Sequence, residues 1–170
     1  MRLARLVAVA TVGIAGCGSS ADSARPLIDD IPAAISALES RIGSDLEYFE
    51  VSADLTGVSL ILAETAESDS GDARGMFATS YRFEGGVLTS AGESLPAEGA
   101  TFRAAAISID PMKLFNQIDA ELSQPVIVDV VVQGAGDGTA IVDSTVVNEK
   151  GGTLLVLLSG DGRILGVQAS

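Results

Sequence analysis

IDDIPAAISALESRIGSDLEYFEVSADL, residues 28–55, changes its hydrophobic period part-way along, and that change decides the fold. Ile28, Ile31, Ile35, Leu38 and Ile42 recur at steps of three and four, which puts them on one face of a helix. Asp29 or Asp30 is placed to cap the free N–H groups at its start. Pro32 falls in the first turn, where a missing donor costs nothing, and Gly43 suits the stop. From Glu47 the period becomes two. Phe49, Val51, Ala53 and Leu55 read inward while Tyr48, Glu50, Ser52 and Asp54 read outward, as in a half-buried strand. An amphipathic helix followed at once by such a strand predicts a helix laid across an antiparallel sheet.

The chain beyond this stretch continues the pattern. Thr56-Gly57 turns into a second inward row of Val58, Leu60 and Leu62; residues 67–75 form a polar loop; residues 76–83 return as a strand. Gly85-Gly86 makes a tight hairpin into Val87-Leu88-Thr89, and residues 90–101 read as a loop crossing to a second half. There Asp110 is an N-cap with Pro111 at the first helical position. Leu114, Phe115, Ile118 and Leu122 form the stripe, and the helix must stop before Pro125. Val126, Val128, Val130 and Val132 alternate with Ile127, Asp129, Val131 and Gln133. Strands follow at 139–147, 153–158 and 163–167, joined by glycine turns at 134–138, 151–152 and 160–162. Leu154-Leu155-Val156-Leu157-Leu158 is apolar on both faces and reads as a strand in the middle of the sheet. The expected class is α+β: two tandem helix-then-antiparallel-strands repeats, 26–101 and 102–170, with two helices packed on one face of an antiparallel sheet.

Hydrophobic residues make up 47% of the 170, enough for a core, but aromatics are 4% and tryptophan is absent, so the interior rests on Val, Ile, Leu and Ala. The formal charge is −13. A body this acidic is repelled by phosphate backbones, which argues against nucleic acid as a partner, and by anionic headgroups. One cysteine excludes an internal disulfide and a thiolate metal cage. No histidine is present to activate a Cys or Ser nucleophile.

Other groups capable of chemistry have plain alternatives. Glu67-Ser68-Asp69-Ser70-Gly71-Asp72 offers closely spaced oxygens of the kind calcium takes, yet lacks the twelve-residue pattern closed by a bidentate Glu, and reads as a solvated turn. Gly134-Ala135-Gly136-Asp137-Gly138 joins two strands with no helix after it, so it is a hairpin and not a phosphate cradle. The carboxylate pairs Asp29/Asp30, Glu47/Glu50 and Asp119/Glu121 are of the type a hydrolase needs, but 23 acids place some together by chance. Lys113 and Lys150 are the only lysines. Tyr48, Phe49, Phe77, Tyr81 and Phe83 read as core or as the lining of a binding surface. No catalytic residue, metal ligand or cofactor is expected.

The N-terminus is more specific. Arg2 and Arg5 precede an apolar run of 11 residues, 6–16, that ends in Ile14-Ala15-Gly16-Cys17. This resembles the lipobox of bacterial lipoprotein precursors. The resemblance implies that residues 1–16 are a signal peptide, that cleavage occurs before Cys17, and that its thiol carries a diacylglyceryl group. Residues 17–25, small and polar, then form a lipidated cysteine and flexible tether, and 26–170 a single domain. Cleavage would remove two arginines and no acid, taking the charge from −13 to −15. The element order, with Asp110-Pro111 opening the second helix and Ser159-Gly160-Asp161-Gly162-Arg163 turning after a strand, resembles PepSY-like and β-lactamase-inhibitor-like α+β repeats. It is more similar still to a group of high-GC bacterial lipoproteins. That likeness implies protein binding, enzyme inhibition or envelope maintenance at the outward face of a membrane, with an envelope protein as partner. A carrier of apolar ligands and a two-carboxylate hydrolase are the alternatives.

Overall fold

The chain enters its domain held from two sides. Arg25 lies 2.7 Å from Asp119 and stacks 4.9 Å from the ring centroid of Phe115, and the Leu27 N–H donates to the Asp54 carbonyl. The computed structural model describes residues 24–65, 75–148, 150–159 and 162–169. Cys17, the signal-peptide residues, the 67–72 loop and the turn residues Gly160 and Asp161 lie outside the described residues.

A 3-10 turn at Ile28–Asp30 runs into helix α1, Ile31–Ile42. Ile28, Ile31, Ala34, Ile35 and Leu38 are buried, whereas Ile42 at the last turn is exposed. Asp30 holds the N-cap position without a side-chain capping bond, and Gly43 ends the helix with a φ of 137°, open to glycine but strained for other residues. Helix α2, Pro111–Glu121, starts as its sequence dictates: the Asp110 carboxylate accepts from the Lys113 N–H at 3.1 Å, and that bond holds Asp110 below the ordinary aspartate pKa. Leu114, Phe115 and Ile118 face the core.

The strands are β1 (Glu47–Asp54), β2 (Val58–Thr65), β3 (Met76–Glu84), β4 (Val87–Ser90), β5 (Leu95–Ala97), β6 (Phe102–Arg103), β7 (Val126–Gly134), β8 (Ala140–Val147), β9 (Thr153–Leu158) and β10 (Ile164–Ala169). All pairings are antiparallel, and the main path runs β10-β9-β8-β7-β1-β2-β3-β4. Mixed helices and antiparallel sheet therefore hold, with strand the larger share. Each helix precedes a meander, and the two meanders meet where β1 pairs with β7. Alternate residues on one face (Val51, Ala53, Val58, Leu60, Leu62, Val130, Val132, Val142, Val146, Val156, Leu158) join the helix stripes in one buried cluster.

Four expectations need correction. In β1 a bulge between Tyr48 and Glu50 adds Phe49 to one strand, so Tyr48 turns into the core while Phe49 is half-buried, and Leu55, beyond the end of the strand in the turn that Asp54 ties, is exposed. In β7 a second bulge, between Ile127 and Asp129, buries Ile127 and leaves Val126 exposed. Residues 90–101 are not all loop: β5 adds to β3, with Pro96 tolerated because no strand lies beyond it. Finally, β9 is next to last in the sheet, not central.

Two residues mark how tightly the fold is built. Tyr48 is wholly buried with its ring 6.1 Å from that of Phe102, and its hydroxyl has no hydrogen-bond partner among the described residues. Burial, reinforced by the charge of Glu39, pushes that hydroxyl up to about 12. At Gly134 a Cβ would stand 2.6 Å from the Ala100 carbonyl oxygen, so glycine there lets the incoming chain pass over the end of β7.

Candidate functional site

The helix stripes and the inward-facing strand residues share one buried cluster, and the strand residues of opposite pleat form the other face of the sheet. Register gives their layout. One row runs Leu157, Asp143, Val131, Ser52, Ser59, Arg82, Thr89 across β9, β8, β7, β1, β2, β3 and β4. The next runs Leu155, Thr145, Asp129, Asp54, and a third Ile141, Gln133, Glu50, Ile61. Partners in such rows stand roughly 5 Å apart at Cβ.

This open face has two centres. The first is a clamp. The Asp54 carboxylate accepts from the Thr56 N–H, the Gly57 N–H and the Thr56 hydroxyl, which ties the β1–β2 turn, and from Nη1 and Nη2 of Arg82 at 2.8 Å each. Arg82 also donates to Ser59 and Thr56. The bidentate arginine, with the turn N–H groups, holds Asp54 far below the usual carboxylate range, and Asp54 in turn raises Arg82. Because 41% of the Asp54 side chain is exposed, solvent screens the pair, and most of the effect is geometric. Asp54→Ala should cost about 2 kcal/mol by urea unfolding at neutral pH, from the lost turn bonds and an arginine left without its partner. Asp54→Asn should cost about half of that. A folded pKa below the unfolded one stabilises above the unfolded value and is lost as acid is added. The gap between wild type and Asp54→Ala should therefore close as pH falls below the ordinary aspartate value of 3.8.

The second centre is a group of carboxylates without cations. Asp129 stands directly opposite Asp54 across β7 and β1 and accepts from the Thr145 N–H. Asp143 is raised above the ordinary range, chiefly by burial and then by the charges of Asp129 and Glu50. Among the described residues no cation is paired with Glu50, Asp129 or Asp143. Here the sign is opposite to that of Asp54. The folded state binds the Asp143 proton more tightly than the unfolded chain, so stability falls as pH rises above 3.8 through the raised value. Asp143→Asn should stabilise the protein by up to about 1 kcal/mol at neutral pH. The gain should shrink on acidification through that window, as read by denaturant midpoints.

Beside these acids lie Leu155 and Leu157, 39% and 40% exposed, flanked by Ile141 and Leu165, also exposed. Sequence pattern marked both leucines as apolar, but only the strand order reveals that nothing covers them.

The residues singled out by sequence are dispersed. Glu47 lies 3.5 Å from Arg103 and accepts from Thr101, Asp119 pairs with Arg25, and Glu121 accepts from Gln117. Asp29 lines a recess of about 180 Å³ between the starts of the helices, with Ile28, Ile31, Pro32, Ile107, Ile109 and Pro111. Lys113 lies 3.3 Å from Asp110. Residues 134–138 form the expected hairpin: Ala135 N–H donates to the Thr139 carbonyl, and Asp137 accepts from the Thr139 N–H. Tyr81 and Phe83 are buried, and Phe77 half-buried. Among the described residues no three His, Cys, Asp or Glu side chains are placed to hold a metal, and no helix is long and apolar enough to cross a membrane.

No known protein family matches the chain, and neither does any curated protein or solved structure.

Proposed function

We propose that the chain is a lipid-anchored domain on the outward side of a bacterial membrane, a non-enzymatic module that binds another envelope protein or a ligand through its sheet. The observation that carries the anchor is Ile14-Ala15-Gly16-Cys17 behind two arginines and a short apolar run. The binding half of the reading is supported by the sheet face on which exposed leucines stand beside half-buried carboxylates that no cation of the described residues pairs, a surface that costs stability. Against a hydrolase stands the dispersal of the carboxylate pairs, with Glu47, Asp119 and Glu121 engaged with separate partners. The carrier alternative calls for a pocket of roughly 300 Å³ or more between helices and sheet; the recess at the starts of the helices is about 180 Å³, and the larger recesses of about 540 and 630 Å³ lie along the crossing segment around Gly99, lined by no residue of α1 or α2. In the same reading the two helix-and-meander halves are tandem repeats, and their β1–β7 junction is the seam between them.

The test is to express the chain in a bacterium fed labelled palmitate and to fractionate the cells. Label on the protein, a mature chain starting at residue 17 and recovery with membranes until detergent is added are expected. An unlabelled chain in the soluble fraction overturns the anchor.

A further inference from the structure

A strand that is apolar on both faces is ordinarily covered on both, because an exposed leucine row earns no burial energy and invites association. β9, Thr-Leu-Leu-Val-Leu-Leu, has that composition, and its inward residues Val156 and Leu158 are buried. Its outward residues are not. Leu155 and Leu157 face solvent one strand from the sheet edge, beside exposed Ile141 and Leu165. The pattern of a two-sided strand is present while its second cover is missing.

Register says what borders the gap. Leu157 is opposite Asp143 on β8, and Leu155 is opposite Thr145, whose other neighbour is Asp129. Glu50 adds its field at Asp143, and Asp54 faces Asp129. Arg82, the cation in these rows, is committed to Asp54. An apolar stripe thus abuts a column of like charges that no cation of the described residues relieves.

These facts discriminate between occupants. A second copy stacked on this face would set the same acids against one another, between bodies of −13 each, so it is disfavoured. An anionic bilayer is disfavoured on the same ground. A cationic polypeptide gains twice, covering the leucines and neutralising the acids. We propose that the open face of β1, β7, β8 and β9 docks a polypeptide segment in which Lys or Arg side chains, over Glu50, Asp129 and Asp143, alternate with apolar side chains that cover Leu155 and Leu157. This rests on the reading of the chain as a binding module.

The test uses the full-length protein in detergent and, as probe, a fluorescent synthetic peptide of alternating lysine and leucine, titrated by anisotropy. Leu155→Ser with Leu157→Ser should weaken binding roughly tenfold or more, as should Asp129→Asn with Asp143→Asn. Glu93→Gln with Glu98→Gln removes equal charge from exposed positions elsewhere and should change little. Equal weakening by that control would mean unspecific attraction to a negative body and overturn the proposal. So would leucine variants that bind like wild type. So would a wild-type dimer, seen by sedimentation velocity, that the leucine variants dissolve. Both leucines are already partly exposed, so the variants should fold, which circular dichroism checks. Independently of any variant, the peptide should slow amide exchange of wild type within 140–147 and 153–158, and absence of that protection refutes the site. Cys17→Ser must bind the peptide as wild type does, so loss of the anchor and loss of docking are read separately.

Discussion

A Cys17→Ser chain should carry no palmitate label and should leave the membrane fraction completely. The expectation is all-or-none because of how acyl chains add. Each buried CH₂ contributes about 0.8 kcal/mol, so a single myristoyl chain binds only marginally, with a constant near ~10⁴ M⁻¹, while a second chain makes attachment effectively permanent. The lipobox resemblance implies at least two chains on one thiol, and a serine hydroxyl cannot form that thioether. No other part of the molecule substitutes. The net charge of −13 opposes anionic headgroups, and residues 6–16, if retained, are 11 residues where a spanning helix needs about 20. In the proposed reading residues 17–25 are a tether and not part of the core, so the unfolding midpoint should be unchanged, separating loss of anchorage from loss of fold. Membrane recovery and labelling equal to wild type would remove the anchor from the account.

How far the sequence could be read varies with how far apart the deciding residues lie. Helix α2 was legible but for its end: Asp110 caps, Pro111 opens, and Leu114, Phe115 and Ile118 are buried, all within one short span, while Leu122, expected in the same stripe, falls at the C-cap in extended conformation and is only partly buried. Hairpins at Gly85-Gly86 and at residues 134–138 were legible for the same reason. The bulges were not. Tyr48 and Phe49 are both large and apolar-bodied, and Val126, Ile127 and Val128 are all aliphatic, so an extra residue leaves no break in either pattern. The position of β9 was misread because two-sided apolarity speaks of what should cover a strand, not of which strands flank it. At the candidate site, Glu50, Asp54 and Asp129 were each legible as pointing away from the core-facing row, or opposite to it in alternation. That they share a patch with Asp143, Leu155 and Leu157 follows only from the β1–β7 and β8–β9 registers, the first of which joins Asp54 to Asp129 and Glu50 to Gln133, 75 and 83 positions apart.

Ile118→Ala should destabilise the protein by about 3 kcal/mol, near the middle of the range for large-to-small changes at sites that cannot collapse. Ile118 is wholly buried at the centre of the α2 stripe. An isolated helix of 11 residues is shorter than the roughly 12–15 needed for even marginal stability in water, so α2 persists because its apolar face is packed. Removing its central side chain withdraws both transfer energy and contacts from Leu114 and Phe115, and it loosens the platform on which Arg25 rests through Asp119 and Phe115. Met112→Ala, on the exposed side of the same helix, should change stability by less than about 0.5 kcal/mol. Urea unfolding of the three proteins reads the difference, and amide exchange should show α2 opening before the sheet in Ile118→Ala. The same measurement bears on the carrier alternative. Were the space beneath α2 a ligand chamber, enlarging it by three carbons would cost little, and a loss below about 1 kcal/mol would favour that reading over a filled core.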